Sequence, residues 1–456
     1  MVFKRDIYDT LVKWRKNEKG LLLKGPRQVG KTFILQFLGE KLFANTLFVN
    51  LRNKETAEWF ENDKTVNFMG DKWGEIFSQF AQFTGQRFAD SPDNLVILDE
   101  VQSSSLVFNS IRDMVRSHKF KVAATGSYLG IMDIENHYSP NKQAFFYPAG
   151  DVALYEMHPM TYREVIAAAA EHGVLEVDEV YRFYVRFGGF PDVVANWLQT
   201  GQIQDCLTTL EHIYSIFVSE SQRYFEGLFP EKAWTDTLAS VVAQLETKKA
   251  VPVAQELVFK FRTSEGLNIG RDEVVDSMRW MVSCNLLFLG DVTNDLKTLE
   301  RVKYSYYFVD QGLMALVMGK ALNQGPVRFN RGNMLGLLAE NFVALNIREF
   351  MSPRTYSRNK PPEEIDFIAE RAGVGLVGIE VKNSTETTKS SDKALERKEI
   401  KQVIKLEGKP GQSTDGAIIL PIWEAHSLGG LLGYPEGRNK YTEDHSFWDD
   451  IMQPMQ

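Results

Sequence analysis

Residues 21–38 read LLLKGPRQVGKTFILQFL and contain an apolar run, a turn bounded by glycines and a segment with apolar residues at helical spacing. The turn, residues 25–32, fits the pattern GxxxxGK(S/T). A phosphate-binding loop of this type joins the end of a strand to the beginning of a helix. The stretch therefore predicts a strand, a phosphate loop and a helix; the alternative is a glycine turn that only links two elements.

The residue types of this loop suit a bound triphosphate. Gly25 and Gly30 let backbone N–H groups approach phosphate oxygens, and the following helix directs its positive end at the anion. Lys31 adds a positive charge for the β- and γ-phosphates, and the Thr32 hydroxyl is expected to be a Mg²⁺ ligand. The loop is completed by Pro26, Arg27, Gln28 and Val29. We therefore expect ATP and Mg²⁺ as ligands.

A second element, residues 94–100 (NLVILDE), is a short apolar run that ends in two acids. Such a run is typical of a strand buried on both faces of a parallel sheet, and ligands lie at the carboxyl ends of these strands. We expect Asp99 to hold the Mg²⁺ with its waters and Glu100 to polarise the attacking water as a general base. The alternative is a solvated strand end without a chemical role.

A third apolar run, residues 121–127 (KVAATGS), ends in small hydroxyl residues. Thr125 or Ser127 is a candidate for orienting the lytic water at the end of the neighbouring strand. The equally weighted alternative is that these residues only cap the strand and begin a turn.

Strand-like and helix-like segments alternate in the first part of the chain. A further strand is predicted at 45–51, with helices near 55–60, 77–88 and 106–115. This alternation predicts a parallel sheet covered by helices, so the fold class is α/β with several domains.

The middle of the chain has apolar residues at helical spacing over 162–172, 177–187, 191–198 and 205–224. The stretch GGFPDVV, residues 188–194, is interpreted as a turn between two helices, with contact to the nucleotide as the alternative. Helices at 253–261 and 272–283, followed by the strand-like LLFLGDV and YSYYFVD, give a winged-helix order. Acids offset the basic residues here, so protein contact or internal packing is favoured over DNA reading.

The last third of the chain contains a second set of acids. Glu340 lies in a helical segment, Asp366 follows a short run, and Glu380 and Lys382 alternate in an apolar strand, which puts both on one face. This order resembles the PD-(D/E)xK nuclease core. Asp366 and Glu380 would share a Mg²⁺, with Glu340 and Lys382 nearby. The alternative is a structural ion network in which Lys382 neutralises the two carboxylates.

Several of these motifs together resemble the AAA-type ATPase domain of a widespread prokaryotic family of ATP-binding proteins, whose C-terminal module is usually labelled a domain of unknown function. They are GPRQVGKT, LVILDE, ATGS, PAGDVALYEMHPMTYREV, GGFPDVV and YFVDQGL. The resemblance covers residues from about 5 to about 410. It implies ATP binding, hydrolysis, a helical or winged-helix middle and a restriction-endonuclease-like C-terminal module.

The chain departs from this family at one position that bears on hydrolysis. Relatives commonly carry arginine just after the PAG-like turn, where this chain has Asp151. Arg112, Arg116 or Arg163 is a candidate replacement, and a neighbouring subunit is another source of an arginine finger.

Length and composition exclude several classes of protein. The chain has 456 residues, is 44% hydrophobic and has a net charge of −8, which excludes disordered and fibrous proteins. No apolar run spans a bilayer and no secretion signal is recognised, so we expect a cytoplasmic protein without membrane insertion. Cys206 and Cys284 offer neither a disulfide framework nor a CxxC site.

We predict four regions. They are an AAA-type ATPase domain at 1–160, a helical lid or linker at 161–250, a winged-helix-like region at 251–325 and a PD-(D/E)xK-like domain at 326–456.

Three functions fit these regions. The first is an ATPase that couples its nucleotide state to an unidentified protein partner, as a switch or remodeller. The second is an ATP-gated, metal-dependent DNA nuclease, and the third is a scaffold that binds ATP without hydrolysing it. DNA binding and a homo-oligomer are open in all three.

Overall fold

The computed structural model describes residues 1–61, 72–126, 148, 150–225, 227, 229–247, 257–258, 261–262, 266–324, 331–359, 362–382, 389–408, 411, 413 and 416–434. Its contacts divide the chain into two units. The first is formed by Met1–Phe288 with Tyr306–Asn330, and the second by Leu289–Ser305 with Arg331–Gln456.

The first unit is built on a five-stranded sheet of order β2-β3-β4-β1-β5. Every neighbouring pair of its strands is parallel. All six residues of β3 are buried, as expected for an apolar strand with helices on both faces. This confirms the parallel sheet that the sequence predicts. The strands are β1 (Gly20–Lys24), β2 (Asn45–Asn50), β3 (Asn94–Asp99), β4 (Lys121–Gly126) and β5 (Val152–Glu156).

The helices around this sheet follow the predicted segments with two differences. The helix predicted at 77–88 begins and ends earlier, at Trp73 and Thr84. The segment 106–115 forms two short helices that meet at Ser110, whose hydroxyl donates to the Leu106 carbonyl at 2.8 Å. The helices are α1 (Ile7–Trp14), α2 (Lys31–Leu42), α3 (Lys54–Glu61), α4 (Trp73–Thr84), α5 (Ser105–Asn109) and α6 (Ile111–Arg116), with a 3₁₀ turn at Val101–Ser103.

Seven further helices of the first unit lie in the described residues, and the four predicted between 162 and 224 are confirmed within a few residues. They are α7 (Tyr162–Glu171), α8 (Val177–Phe187), α9 (Pro191–Thr200), α10 (Ile203–Tyr224), α11 (Glu231–Thr247), α12 (Arg271–Ser283) and α13 (Gln311–Gln324). Helix α7 begins with a capping box formed by Thr161 and Glu164. The helix predicted at 253–261 falls mostly outside the described residues.

Asp310 joins two of the motifs that the sequence singles out. Its buried carboxylate accepts hydrogen bonds from Gly189 N at 2.7 Å and Leu313 N at 2.9 Å. Gly188 has φ +75°, and a Cβ there would lie 2.2 Å from Asp310 Oδ1. Burial raises the pKa of Asp310 to about 6, against the backbone hydrogen bonds, which lower it. Residues 188–190 thus form the turn between α8 and α9, which Asp310 holds in place, and residues 191–194 are the first turn of α9.

The second unit contains two four-stranded sheets, of order β7-β6-β8-β9 and β10-β11-β12-β13. The two strands predicted as a wing, β6 and β7, are neighbours, but β6 also pairs in parallel with β8. They therefore belong to a larger sheet, and the winged helix stays a prediction. The strands are β6 (Leu287–Thr293), β7 (Arg301–Phe308), β8 (Arg354–Asn359), β9 (Pro362–Ile365), β10 (Phe367–Arg371), β11 (Gly375–Lys382), β12 (Gln402–Glu407) and β13 (Ala417–Pro421).

Three helices accompany these sheets: α14 (Arg331–Arg348), α15 (Lys389–Glu396) and α16 (Leu428–Leu432), with a 3₁₀ helix at Ile422–Ser427. Helix α14 and the last 3₁₀ helix contact each other, and α14 also contacts β11. A search of the described part of the chain finds no helix with the length and apolar character needed to cross a bilayer.

Candidate functional site

The predicted phosphate loop connects β1 to α2 and depends on glycine for its shape. Gly30 is the N-cap of α2 with φ +93°, and Gly25 has φ +148°. A Cβ on Gly25 would lie 2.0 Å from the carbonyl oxygen of Met157, which is backbone and cannot turn away. Gln28 also has a positive φ, +59°. The loop thus follows a path that side chains at positions 25 and 30 would obstruct or strain.

Lys31, the first residue of α2, is buried with its ammonium facing the loop. Its Nζ donates to the carbonyl oxygens of Gly25 at 2.9 Å and Pro26 at 2.6 Å. Burial lowers the pKa of Lys31 to about 8, and the nearby Glu100 opposes this shift. A phosphate at the loop would supply negative charge that favours the protonated amine. Phosphate binding is therefore linked to protonation of this side chain.

Thr32 and Asp99 bring the loop and the acidic strand end together. Thr32 Oγ1 donates to Asp99 Oδ1 at 3.0 Å, although 67 residues separate them in the chain. Burial raises the pKa of Asp99, and the hydrogen bond from Thr32 lowers it. A hydroxyl beside a carboxylate is the kind of hard oxygen donor set that Mg²⁺ prefers. The residues present therefore fit the predicted metal.

Glu100 follows β3 in a left-handed backbone conformation, with φ +52°. A non-glycine residue rarely adopts this conformation, and such strain is concentrated at functional sites. Its Oε2 accepts a hydrogen bond from Gln102 Nε2, and its Oε1 lies 3.7 Å from Arg27 Nη1. The sequence analysis did not identify Gln102, which lies two residues after Glu100 in a 3₁₀ turn.

Arg27 also contacts a residue that the sequence analysis missed. Its Nη2 forms an ion pair with Glu220 Oε1, on helix α10. Burial raises the pKa of Glu220, while Arg27 lowers it. Glu220 lies far from the loop in sequence and in no motif, so only the fold reveals the contact.

The two candidates at the end of β4 have different outcomes. Thr125 is fully buried, and its Oγ1 donates to the carbonyl oxygen of Leu23 on the neighbouring strand at 3.0 Å. The hydroxyl proton of Thr125 is thus donated to the backbone of the sheet. Ser127 lies outside the described residues. A role in orienting water stays a prediction for both.

Two of the candidate replacement arginines contact the residue that departs from the family pattern. Arg112 and Arg116 lie 3.1 Å and 2.9 Å from the Asp151 carboxylate, and the hydrogen bond from Arg116 lowers the pKa of Asp151. Asp151 lies just before the first residue of β5, whereas the phosphate loop begins after the last residue of β1. Because β1 and β5 are parallel neighbours, these two positions are at opposite ends of the strands. These arginines therefore lie at the sheet edge opposite the loop of their own chain.

The acids of the second unit lie on a helix, at a junction between two strands and on a strand. Asp366 lies between β9 and β10, and its Oδ2 accepts a hydrogen bond from Val381 N at 2.8 Å. Glu380 is buried on β11, and Lys382 Nζ lies 3.9 Å from its Oε2. Glu340 is buried on α14, which contacts β11. Within the described ranges, no group of three or more His, Cys, Asp or Glu side chains is placed to hold a metal ion.

Comparisons with known proteins match the two ends of the chain to two domain families. Residues 17–166 match the model of an AAA domain, and residues 335–425 match a domain of unknown function, DUF4143. Both parts of the family resemblance are confirmed to this extent. The restriction-endonuclease-like nature of the C-terminal module stays a prediction. A comparison with curated proteins gave no match.

Solved structures give distant similarities. The Walker-type ATPase PABY2304 of Pyrococcus abyssi is 14% identical with a TM-score of 0.42, over 70% of this chain and 96% of that one. The RuvB Holliday junction branch migration motor of Thermotoga maritima is 15% identical with a TM-score of 0.30, over 63% and 89%. PCH-2 of C. elegans is 12% identical with a TM-score of 0.23, over 61% and 66%.

Proposed function

We propose that the first unit binds ATP with Mg²⁺ at residues 25–32 and hydrolyses the γ-phosphate, as an AAA-type ATPase. The observation that carries this proposal is the 3.0 Å hydrogen bond between Thr32 and Asp99, which places the loop and the acidic strand end at one point. Lys31 and Glu100 are adjacent to these two residues in the chain. The match of residues 17–166 to an AAA domain supports the same assignment.

Each side chain has a role that follows from its position. The loop backbone and Lys31 hold the phosphates, with Lys31 exchanging its bonds to Gly25 and Pro26 for phosphate oxygens. Thr32 and Asp99 hold the metal, which when bound neutralises charge on the phosphate oxygens. Glu100 accepts a proton from the attacking water as the γ-phosphate is cleaved.

Two substitutions test this proposal. Lys31→Ala removes the buried cation and should weaken ATP binding at least about a hundredfold. Glu100→Gln keeps the shape of the side chain and should retain ATP binding while turnover falls by about a hundredfold or more. Binding is measured by calorimetric titration, and turnover by phosphate release.

Lys41 and Glu40 provide matched controls. Both are exposed residues of α2, the helix that begins at Lys31. Lys41→Ala and Glu40→Gln should bind and hydrolyse ATP like the unaltered protein. Equal ATP affinity in Lys31→Ala and Lys41→Ala would refute the proposal. Tight ATP binding by the unaltered protein without phosphate release would favour a non-hydrolysing scaffold.

The nucleotide state is expected to act on other molecules. We infer that the helices after residue 161 couple it to an unidentified protein partner, and that a homo-oligomer supplies any arginine finger in trans. Analytical ultracentrifugation with and without MgATP tests the second point. A sedimentation coefficient that stays at the monomer value in both would contradict it.

A metal-dependent DNA nuclease in the second unit is the second candidate. It is favoured by the position of Asp366 just before β10, the neighbour of β11, which carries Glu380 and Lys382. Plasmid and oligonucleotide cleavage with Mg²⁺ or Mn²⁺ is the test, with Asp366→Ala as the matched negative. Cleavage that persists in this variant would point to a contaminating nuclease.

A further inference from the structure

The Arg27 guanidinium lies between two carboxylates that come from different parts of the first unit. Its Nη1 is 3.7 Å from Glu100 Oε1, and its Nη2 forms an ion pair with Glu220 Oε1. All three side chains are largely buried, at 12% to 19% exposure. The Arg27 cation therefore contacts both Glu100, the proposed general base, and helix α10, which lies outside residues 17–166.

The surroundings of Glu220 make this ion pair its main anchor. Its other oxygen, Oε2, is buried and has no hydrogen-bond partner among the residues that the structure describes. Arg52 also contributes positive charge to this carboxylate, but less than Arg27 does. A buried carboxylate held mainly by one guanidinium fixes the position of that guanidinium in return.

How strongly Arg27 binds Glu100 depends on the contact that Arg27 makes with Glu220. At 3.7 Å, the contact between Arg27 and Glu100 is longer than a direct hydrogen bond, while the Glu220 contact is short. Without a negative charge at position 220, the Arg27 guanidinium would lose the nearer of these two carboxylates and could approach Glu100. A full ion pair with Arg27 would occupy the Glu100 oxygen atoms that have to face the attacking water.

We propose that Glu220 is a positioning residue for ATP hydrolysis, which holds the Arg27 guanidinium away from Glu100 and so leaves the Glu100 carboxylate available to the attacking water. This inference rests on the proposed ATPase function. It assigns to α10 a direct effect on the rate of the chemical step, and it needs no contact between Glu220 and the nucleotide.

The test compares Glu220→Gln with Glu211→Gln, an exposed glutamate on the same helix. In Glu220→Gln we expect kcat to fall by about tenfold, a part of the general-base contribution, while the KM for ATP changes less than about twofold. Glu220→Asp, which keeps the charge, should lose less turnover than Glu220→Gln.

A double variant separates this role from a merely structural one. Because Glu220 acts through Arg27, the kcat of Arg27→Gln/Glu220→Gln should equal that of Arg27→Gln alone. Independent, additive losses would overturn the inference. Thermal unfolding of each variant identifies any loss that comes from misfolding, and Glu220→Asp then provides the comparison.

The outcomes distinguish this inference from the function on which it rests. If the unaltered protein hydrolyses ATP and Glu220→Gln behaves like Glu211→Gln, only the inference fails. If the unaltered protein releases no phosphate, both the proposed function and the inference fail.

Discussion

The phosphate loop of the first unit and the acidic cluster of the second unit both contain a lysine and paired carboxylates, but they differ in how these groups are held. In the first unit, Lys31 bonds to the loop carbonyls of Gly25 and Pro26, which a phosphate can replace, and Thr32 and Asp99 form a mixed hydroxyl and carboxylate pair. In the second, the Asp366 carboxylate accepts a bond from the strand backbone and Lys382 lies beside Glu380.

The difference shows that residue types alone do not define a chemical site. A backbone N–H that donates to a carboxylate satisfies it inside the fold, whereas a ligand-binding site needs groups whose partners can be exchanged. The second cluster fits an ion network of the strands as well as a metal site. Three measurements test this difference between the two clusters.

The largest effect is expected from neutralising the acid that contacts Thr32. Asp99→Asn removes the negative charge proposed to hold Mg²⁺, so ATP turnover should fall by about a hundredfold or more. Asp366→Asn is the matched change in the second unit. Because an asparagine oxygen can still accept the bond from Val381, turnover should stay within about twofold and the thermal unfolding midpoint should hardly change. Phosphate release and thermal unfolding check both variants.

The contrast fails if the two variants lose turnover equally. That result would make the second cluster part of the ATPase mechanism. A stability loss in Asp366→Asn without loss of turnover would instead strengthen the structural interpretation of that cluster.

The sequence predicted the contiguous parts of the site and missed the parts that the fold assembles. Residues 25–32 and 94–100 each carry their own signal, because the loop glycines and the apolar strand are local features. Their mutual placement follows from parallel strands ending at one edge. Glu220 lies on an ordinary helix, and no spacing rule connects it to Arg27.

The same limit applies to the fold. Strand and helix periodicity located the five-stranded sheet and the helices from 162 to 224, since these segments are long or strongly apolar. The break at Ser110 interrupts a segment whose apolar spacing is continuous, so periodicity does not report it. The link between Asp310 and the Gly188 turn depends on tertiary contact alone.

A smaller effect is expected from pH, through Lys31. Its pKa is about 8 because burial disfavours the charged amine, and bound phosphate should raise this value. ATP binding should therefore take up protons near and above pH 8, about half a proton at pH 8, and affinity should fall as pH rises further. In the unfolded chain, Lys31 keeps its ordinary pKa of 10.5. The cost of burying the charged amine lowers the free energy of unfolding, so this cost is fully present below pH 8 and disappears as pH rises toward 10.5.

Calorimetric titrations with MgATP in two buffers of different ionisation enthalpy measure this proton uptake. They are best made between pH 8 and 9, where the phosphates are already ionised. Lys41→Ala should show the same uptake as the unaltered protein. Binding without proton uptake at pH 8 would mean that the Lys31 ammonium is fully protonated before ATP arrives.

The smallest effect is expected at the opposite edge of the sheet. Arg116 is exposed and pairs with Asp151 at 2.9 Å, and exposed ion pairs contribute little to stability. We therefore expect Arg116→Ala to leave the thermal unfolding midpoint unchanged, and to leave turnover unchanged because the residue lies away from the phosphate loop of its own chain. Turnover has to be measured over a range of protein concentrations. A loss that appears only at high concentration, where subunits associate, would instead identify Arg116 as the arginine that one subunit supplies to the next, and would extend the site of the first unit beyond a single chain.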